Sequence, residues 1–596
     1  MRRSIAFGSD PARRDAAALP DPSRRLALLL VGAATASVAL GLRLYDWHVR
    51  QAVELVRQGS AALLGRTEIT PRRGTIYDRT GDVLALTRRA YAVGARPAEI
   101  VEAQAVFSVA NRLGGLLGLS PALLAQRIGD PKQTYAKVLG HVNPKVGDAV
   151  AAAIKAGELP GIELAPDHTR LYPNQGLAAH ALGFMAESPE SNGLSVGRAG
   201  VEAYYDRDLG GKSGLVRSDR DRHGRRIPVG RYELVPPKHG SHLVLSIDRT
   251  IQHIAEQELD FAINRFSAEK GNVILTNPFS GEILAMANRP TYVPGLVATY
   301  PNVGPEFENR VTHHDYEPGS TFKLITMAAG LDAGAITPET THNLPGEYEA
   351  YGQEFRNWDG VTYPNQNMVD VLLHSSNIGA IFVADRVGAN RFYDYVAKFG
   401  FGALTGVDLT GELSGIVRRR GDRGWFLPDL AANSFGQGIS CTPLQLAMAV
   451  GAIANGGLML RPRMARAIID PDGRRTTFEP ETVRRVISGA TAATLTRMMT
   501  LAEAGADDNL ALLPGYRTAG KTDTAEIPLG GKFQPDVTNA SYVGFGPLEL
   551  PTVLCLVTIE KPQVAIFGSQ VASPTFRRIM ERVFGYLKTP AQKPDA

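Results

Sequence analysis

The chain is predicted to have an α+β fold: an antiparallel sheet covered by helices, preceded by a mostly β or extended N-terminal pedestal and one transmembrane helix. Three observations carry this. Within residues 236–588, apolar runs of strand length stand at both ends of a helix-rich middle, the order of elements that packs helices on an antiparallel sheet. Residues 45–235 alternate short apolar runs with Gly, Pro and charged turns. Leu26 to Leu42 holds 17 residues without a charge. The 596 residues are 44% hydrophobic and 21% charged, which excludes a mostly disordered chain, and a slightly negative mean hydropathy excludes a polytopic membrane protein. Two cysteines exclude a disulfide framework or a Cys-rich zinc site. The net charge is +4, of which residues 1–25 supply +3 (six Arg against three Asp), so no basic surplus remains to suggest nucleic-acid binding.

Along the chain, residues 1–25 read as a cytoplasmic tail and residues 26–44 as an uncleaved membrane-spanning helix. Arg24-Arg25 precede the apolar run and Arg43 follows it, a bias that keeps the N-terminus in the cytoplasm. Cleavage after Ala34-Thr35-Ala36 would leave too short an apolar core for a signal peptide. Residues 45–235 form the pedestal. Within it 48–63 are expected helical, 72–85 a strand, turn and strand, and 102–160 helices broken by Gly and Pro. Pro236-Pro237 mark a boundary. In residues 236–588, Leu243–Ile247 is a strand and Thr250–Leu259 a helix. Val273–Thr276 with Glu282–Met286 make a hairpin, as do Ser541–Phe545 with Val553–Ile559. A last helix starts at Ser573-Pro574 and buries Phe576, Met580, Val583 and Leu587. Residues 589–596 read as a disordered tail.

The sharpest local signal is Glu317-Pro318-Gly319-Ser320-Thr321-Phe322-Lys323, in which a Pro-Gly turn stops one segment and a helix opens at Ser320. Ser320 and Lys323 are three apart and share a face. A serine becomes a nucleophile when a base takes its proton, and a lysine whose pKa is lowered by burial or a second cation can be that base. On its own the spacing is far more often that of a helix cap followed by a surface lysine. Two further segments raise its weight. Ser375-Ser376-Asn377 stands 55 residues on in apolar sequence, where a hydroxyl can relay a proton and a carboxamide can hold an amide. Lys521-Thr522-Asp523-Thr524 follows 146 residues after Ser375, and a lysine flanked by hydroxyls suits a carboxylate.

Ser-x-x-Lys, Ser-x-Asn and a Lys-Thr box in this order resemble the signature of penicillin-binding proteins and class A β-lactamases. Nearly everything after the anchor resembles a class B penicillin-binding protein. Arg73 to Gly81 and Gly200-Val201-Glu202 with Leu209-Gly210-Gly211 resemble N-terminal boxes of that class. Thr276-Asn277-Pro278 with Gly281 to Ala287, Ser434 to Gly438, Thr442-Pro443 with Gln445, and Ala454 to Gly457 resemble segments of its transpeptidase domain. Glu317 to Ser320 and the Asp219 to Arg226 ribbon are closer to the division-specific branch than to the elongation branch, which stays as an alternative.

The resemblance implies a D,D-transpeptidase that cross-links peptidoglycan stem peptides and is acylated by β-lactams. It needs no cofactor and no metal. Ser320 would be the nucleophile and Lys323 its base. Ser375 would return the proton to the departing D-Ala, Asn377 would orient the substrate amide, and Lys521, Thr522 and Thr524 would bind its carboxylate. The backbone N–H groups of Ser320 and Thr524 would form the oxyanion hole. Implied partners are a polytopic glycosyltransferase and other division proteins at the inner membrane.

Asp523 departs from the family's glycine at that position. Strand alternation puts its side chain on the face opposite Thr522 and Thr524, where it is expected to point outward at little cost. An inward carboxylate would instead make the chain an impaired paralogue, a scaffold or a β-lactam-binding protein. Gly515 to Thr522 also spells G-x-x-x-x-G-K-T, the P-loop pattern, although Pro514, Pro528 and Gly530-Gly531 leave no room for the helix that motif requires.

Overall fold

A computed structural model describes residues 22–54, 64–187, 195–219, 227, 232–506, 509–529 and 532–591. Residues 1–21 of the expected tail, 55–63 of the expected helix, 220–226 of the charged ribbon and 592–596 at the end lie outside the described residues.

The chain forms two compact units, residues 1–69 with 213–237, and residues 70–212 with 238–596. In the first, the helix Pro22–Tyr45 continues into a π-helical turn, Asp46–Arg50, and its apolar side chains are exposed. Leu26–Arg50 is long and apolar enough to cross a membrane. The same unit holds a three-stranded antiparallel sheet with Gly214–Asp219 between Leu64–Ile69 and Tyr232–Val235.

The second unit begins with the boxes noted in the sequence, and the fold shows what they do. Glu202, fully buried, receives Arg73 Nε at 2.7 Å and Arg170 Nε at 2.6 Å. A buried carboxylate needs such partners, so the two boxes are halves of one charge knot. Asp78 accepts from Thr80 N, Thr80 Oγ1 and Asp82 N, which shapes the turn between the strands Ile76–Tyr77 and Val83–Ala95. Helices Pro97–Glu102, Val106–Leu117, Pro121–Ile128 and Pro144–Lys155 follow, three of them opening on proline as that residue's fixed φ and missing N–H allow. A strand the sequence pattern hid, Ala136–Val142, interrupts them. It is set by pairing with Val83–Ala95, a contact between residues distant in the chain.

The core of the second unit is a five-stranded antiparallel sheet, ordered Ile283–Arg289, Lys270–Thr276, Val553–Glu560, Lys532–Gly546, Ala519–Leu529. Its two faces alternate as period-2 geometry demands. Val273, Leu275, Val557, Ile559 and Tyr542 pack with Ile251, Leu259, Phe576 and Met580, from the helices Arg249–Phe266 and Gly568–Leu587. Ile274, Leu554, Leu556 and Val543 pack instead with a helical lobe that includes Lys323–Asp332, Asn377–Val387 and Pro443–Ala454. The last helix starts at Gly568, not at Ser573-Pro574, so Pro574 lies inside it. The reason is tertiary: Thr524 Oγ1 accepts the Gly568 N–H at 2.9 Å, and no local cap announces the start. Phe576, Met580 and Val583 are buried as expected, while Leu587 is 40% exposed.

Candidate active site

Pro318 and Gly319 lead into a 3-10 turn, Gly319–Phe322, which passes directly into the helix Lys323–Asp332. Thr321 Oγ1 donates to Pro318 O at 2.5 Å, and buried Phe322 packs on Phe401 with ring centroids 5.0 Å apart, so the turn is held from inside. Ser320 and Lys323 therefore face one another: Lys323 Nζ donates to Ser320 Oγ at 2.9 Å. Lys323 is fully buried and also donates to the carbonyl of Ser375 and, at 3.3 Å, to Ser375 Oγ. Lys521 Nζ closes the group, donating to Ser375 Oγ at 3.1 Å and to Thr522 O at 3.0 Å. Burial pushes Lys323 well below the ordinary lysine value, and the charge of Lys521 pushes it further, against the opposing pull of Asp523. Burial brings Lys521 down to about 8, again opposed by Asp523. A lysine whose pKa is lowered beside a serine hydroxyl is the pair needed to make that serine a nucleophile.

Ser375 sits between two lysines in a left-handed backbone conformation, φ +52°. For a residue with a Cβ that geometry costs about 1–2 kcal/mol and needs surrounding structure to hold it. Asn357, which the sequence reading did not single out, supplies it. Its Oδ1 accepts from Ser376 Oγ at 2.9 Å and from Ile378 N at 3.4 Å, while Nδ2 donates to Pro345 O at 3.2 Å and Val361 O at 3.3 Å. Ser376 Oγ in turn caps the helix Asn377–Val387 by accepting from Gly379 N. Asn377 is half-buried and its Nδ2 donates to Arg356 O at 2.8 Å. Glu317 accepts from Gly438 N at 2.9 Å, which ties the Ser434 to Gly438 segment to the approach of the nucleophile. An Asn in the tetrapeptide Asn357-Trp358-Asp359-Gly360 reads locally as a turn, so nothing in the linear sequence marks its role.

Lys521, Thr522, Asp523 and Thr524 lie in the edge strand Ala519–Leu529. A strand stands where a P-loop needs a helix to begin, and the nucleotide-binding reading fails on that point. Thr522 and Thr524 are half-buried, and the Thr524 hydroxyl is engaged with Gly568 N. Asp523 does alternate away from both threonines, as period 2 predicts, but the face it reaches is not solvent. It is the face turned to the helical lobe, and Asp523 is 3% exposed with Oδ1 accepting the Ser320 N–H at 2.5 Å. The expectation of an outward side chain is thus overturned by the packing of the Ser320 turn against this strand. Gly319, at φ +50°, makes the approach possible, because a Cβ there would collide with the Asp523 carboxylate. Across the sheet Asp523, Ser541, Thr558, Asn272 and Asn288 stand in register, all buried, as a polar stripe beneath the lobe. Burial pushes Asp523 up to about 7, opposed by the N–H of Ser320, by Lys521 and Lys323, and by the N–H of Thr524.

Residues 271–581 match the family described as the penicillin binding protein transpeptidase domain, and residues 68–245 match the penicillin-binding protein dimerisation domain. The chain is 33% identical over 519 residues to stage V sporulation protein D of Bacillus subtilis (strain 168), covering 86% of this chain and 77% of that one. It is 32% identical over 549 residues to peptidoglycan D,D-transpeptidase FtsI of Escherichia coli (strain K12), covering 91% and 88%. Among solved structures it is similar to penicillin binding protein 3 of Mycobacterium tuberculosis complexed with aztreonam, with a TM-score of 0.66 and 26% identity, covering 89% of this chain and 99% of that one.

Proposed function

The chain belongs to the class B penicillin-binding proteins, and we propose that it is a membrane-anchored peptidoglycan D,D-transpeptidase of septal wall synthesis that works through an acyl-enzyme on Ser320. The observation that carries this reading is the contact of Ser320 Oγ with a fully buried Lys323, itself joined through Ser375 to Lys521. Neutral Lys323 takes the Ser320 proton as Oγ attacks the carbonyl carbon of the penultimate D-Ala of a stem peptide. The carbonyl oxygen becomes an oxyanion facing the backbone N–H groups of Ser320 and Thr524. The proton passes through the Ser375 hydroxyl to the amine of the departing D-Ala. Lys521, with Thr522 and Thr524 beside it, holds the terminal carboxylate before cleavage. Asn377 orients the substrate amide through its carboxamide. An amine from a neighbouring stem peptide then attacks the ester, forms the cross-link and releases Ser320. A β-lactam enters the same path and stays on Ser320.

The exposed apolar helix within Leu26–Arg50, with Arg24-Arg25 before it, supports a single-pass inner-membrane anchor, an N-terminus in the cytoplasm and a periplasmic catalytic domain. The relative named as a peptidoglycan D,D-transpeptidase supports the cross-linking activity. The septal role, with division proteins and a polytopic glycosyltransferase as partners, rests on the resemblance of Glu317 to Ser320 and of the Asp219 to Arg226 ribbon to the division-specific branch. Reconstituted protein supplied with a D-Ala-D-Ala stem-peptide donor and an amine acceptor tests the reading: cross-linked product that forms with the intact chain and is absent with Ser320→Ala supports it, and product formed by Ser320→Ala contradicts it. A second reading, a β-lactam-binding scaffold without cross-linking activity, is favoured by one observation, the Asp523 carboxylate on the Ser320 N–H.

A further inference from the structure

We propose that Asp523 is an internal occupant of the oxyanion site, a side chain that holds the backbone N–H of Ser320 in the resting protein and must release it before Ser320 can be acylated. The inference rests on the acyl-enzyme reading above, which assigns the N–H groups of Ser320 and Thr524 to the carbonyl oxygen of the donor. An N–H donates along one axis, and Asp523 Oδ1 lies on that of Ser320 at 2.5 Å. The second assigned donor belongs to Thr524, the next residue of the same strand. A carbonyl oxygen arriving between them meets an acceptor already in place.

The surroundings show that this arrangement is not simply a well-satisfied structural bond. Asp523 Oδ2 is buried without a hydrogen-bond partner among the described residues, and so is Oγ of Ser541, its cross-strand neighbour. An unpaired buried carboxylate oxygen is costly and makes this a side chain with little to lose by moving. The titratable groups that face it are Lys323 from the nucleophile's helix, Lys521 from its own strand, and Tyr316 and Cys441 from the segments beside the turn. Lys521, and Lys323 whenever it is protonated, favours its ionised form, and burial opposes it. Gly319 completes the fit, since only a residue without a Cβ leaves the carboxylate space under the turn.

The test compares second-order acylation rates by a fluorescent penicillin at pH 7.5 for the detergent-solubilised full chain, Asp523→Gly, Asp523→Ala and Asp523→Asn, with Ser320→Ala as blank. Freeing one oxyanion donor is worth ~10²–10³-fold, so the Gly and Ala forms are expected to acylate about 100-fold faster than the intact chain. Asp523→Asn keeps an acceptor oxygen and the bulk but not the charge, and is expected to recover less than a tenth of that gain. A Gly form no faster than the intact chain overturns the proposal, because the N–H was then already available. An Asn form as fast as Gly overturns it too, because charge and not occupancy is then the obstacle. Should the Gly form lack a cooperative melting transition, the Ala form decides, since its Cβ already has a place in the structure. Labelling of the intact chain without a gain in Gly or Ala refutes only this proposal, whereas absence of labelling in every form refutes the acyl-enzyme reading together with it.

Discussion

Replacing Asn357 with alanine should disable the loop that presents Ser375 without touching any reacting atom. Asn357 is 4% exposed and makes four hydrogen bonds, of which those to Ser376 Oγ (2.9 Å) and Pro345 O (3.2 Å) are the shortest. At about 1 kcal/mol each, the two account for ~2 kcal/mol, with the longer pair adding little. The strained φ of Ser375 makes that loop the first to relax once its support is gone. A loss of ~2 kcal/mol in the population of the native loop corresponds to at most ~30-fold in acylation rate, since 1.36 kcal/mol is tenfold. The expected outcome for Asn357→Ala is a three- to thirty-fold slower acylation by a labelled penicillin together with a lower melting temperature. Asn357→Asp keeps the acceptor for Ser376 Oγ and should fall between the two. A melting temperature that drops while the acylation rate stays unchanged would refute the reasoning, because the Ser375 loop would then be held by something else.

Lys323→Met fills a buried site of similar length with an apolar chain and removes the base; acylation measured by stopped-flow should fall about 10²- to 10⁴-fold, and a fall below tenfold would move the base elsewhere. Asp523 titrates near 7 in the folded chain against a usual 3.8, so between those values the folded state holds more protons than the unfolded and stability falls as pH rises. Asn cannot titrate, so the melting temperature of Asp523→Asn relative to the intact chain should climb from pH 4 to pH 7 and level off above it; a flat difference would mean that Asp523 is not buried as a carboxyl group. Thr524→Val keeps the shape and removes the acceptor of the Gly568 N–H, which should lower the urea midpoint by an amount equivalent to about 1–2 kcal/mol, and an unchanged midpoint would leave the start of the last helix unexplained.

The sequence made the outline of this fold legible where elements are defined locally. The hairpins at 270–289 and 532–560 and the helix after Asp248 carry their own periodicity and caps, and the structure places them close to where the pattern does. Where a distant partner decides, the pattern failed. The strand Ala136–Val142 exists through its pairing with Val83–Ala95, and the last helix begins at Gly568 through Thr524. The site shows the same division. Ser320 and Lys323 were legible as a pair because they stand three apart, and Ser375 and Lys521 because the three segments in order resemble a family signature; the structure brings their heads together. Asn357 was not, because its function lies in reaching across to Ser376. For Asp523 the alternation rule found the correct face but could not say what packs on it. A carboxylate on an edge strand is harmless against water, whereas against the nucleophile's turn it becomes part of the site.

The central claim, that Ser320 is acylated with Lys323 as its base, meets its most direct test in intact-mass spectrometry of the full chain after exposure to a β-lactam. The account predicts a mass gain of one drug molecule per chain, mapped by peptide digestion to the fragment containing Ser320, absent in Ser320→Ala and strongly slowed in Lys323→Met. An adduct that maps to another residue, or that persists in Ser320→Ala, would contradict it.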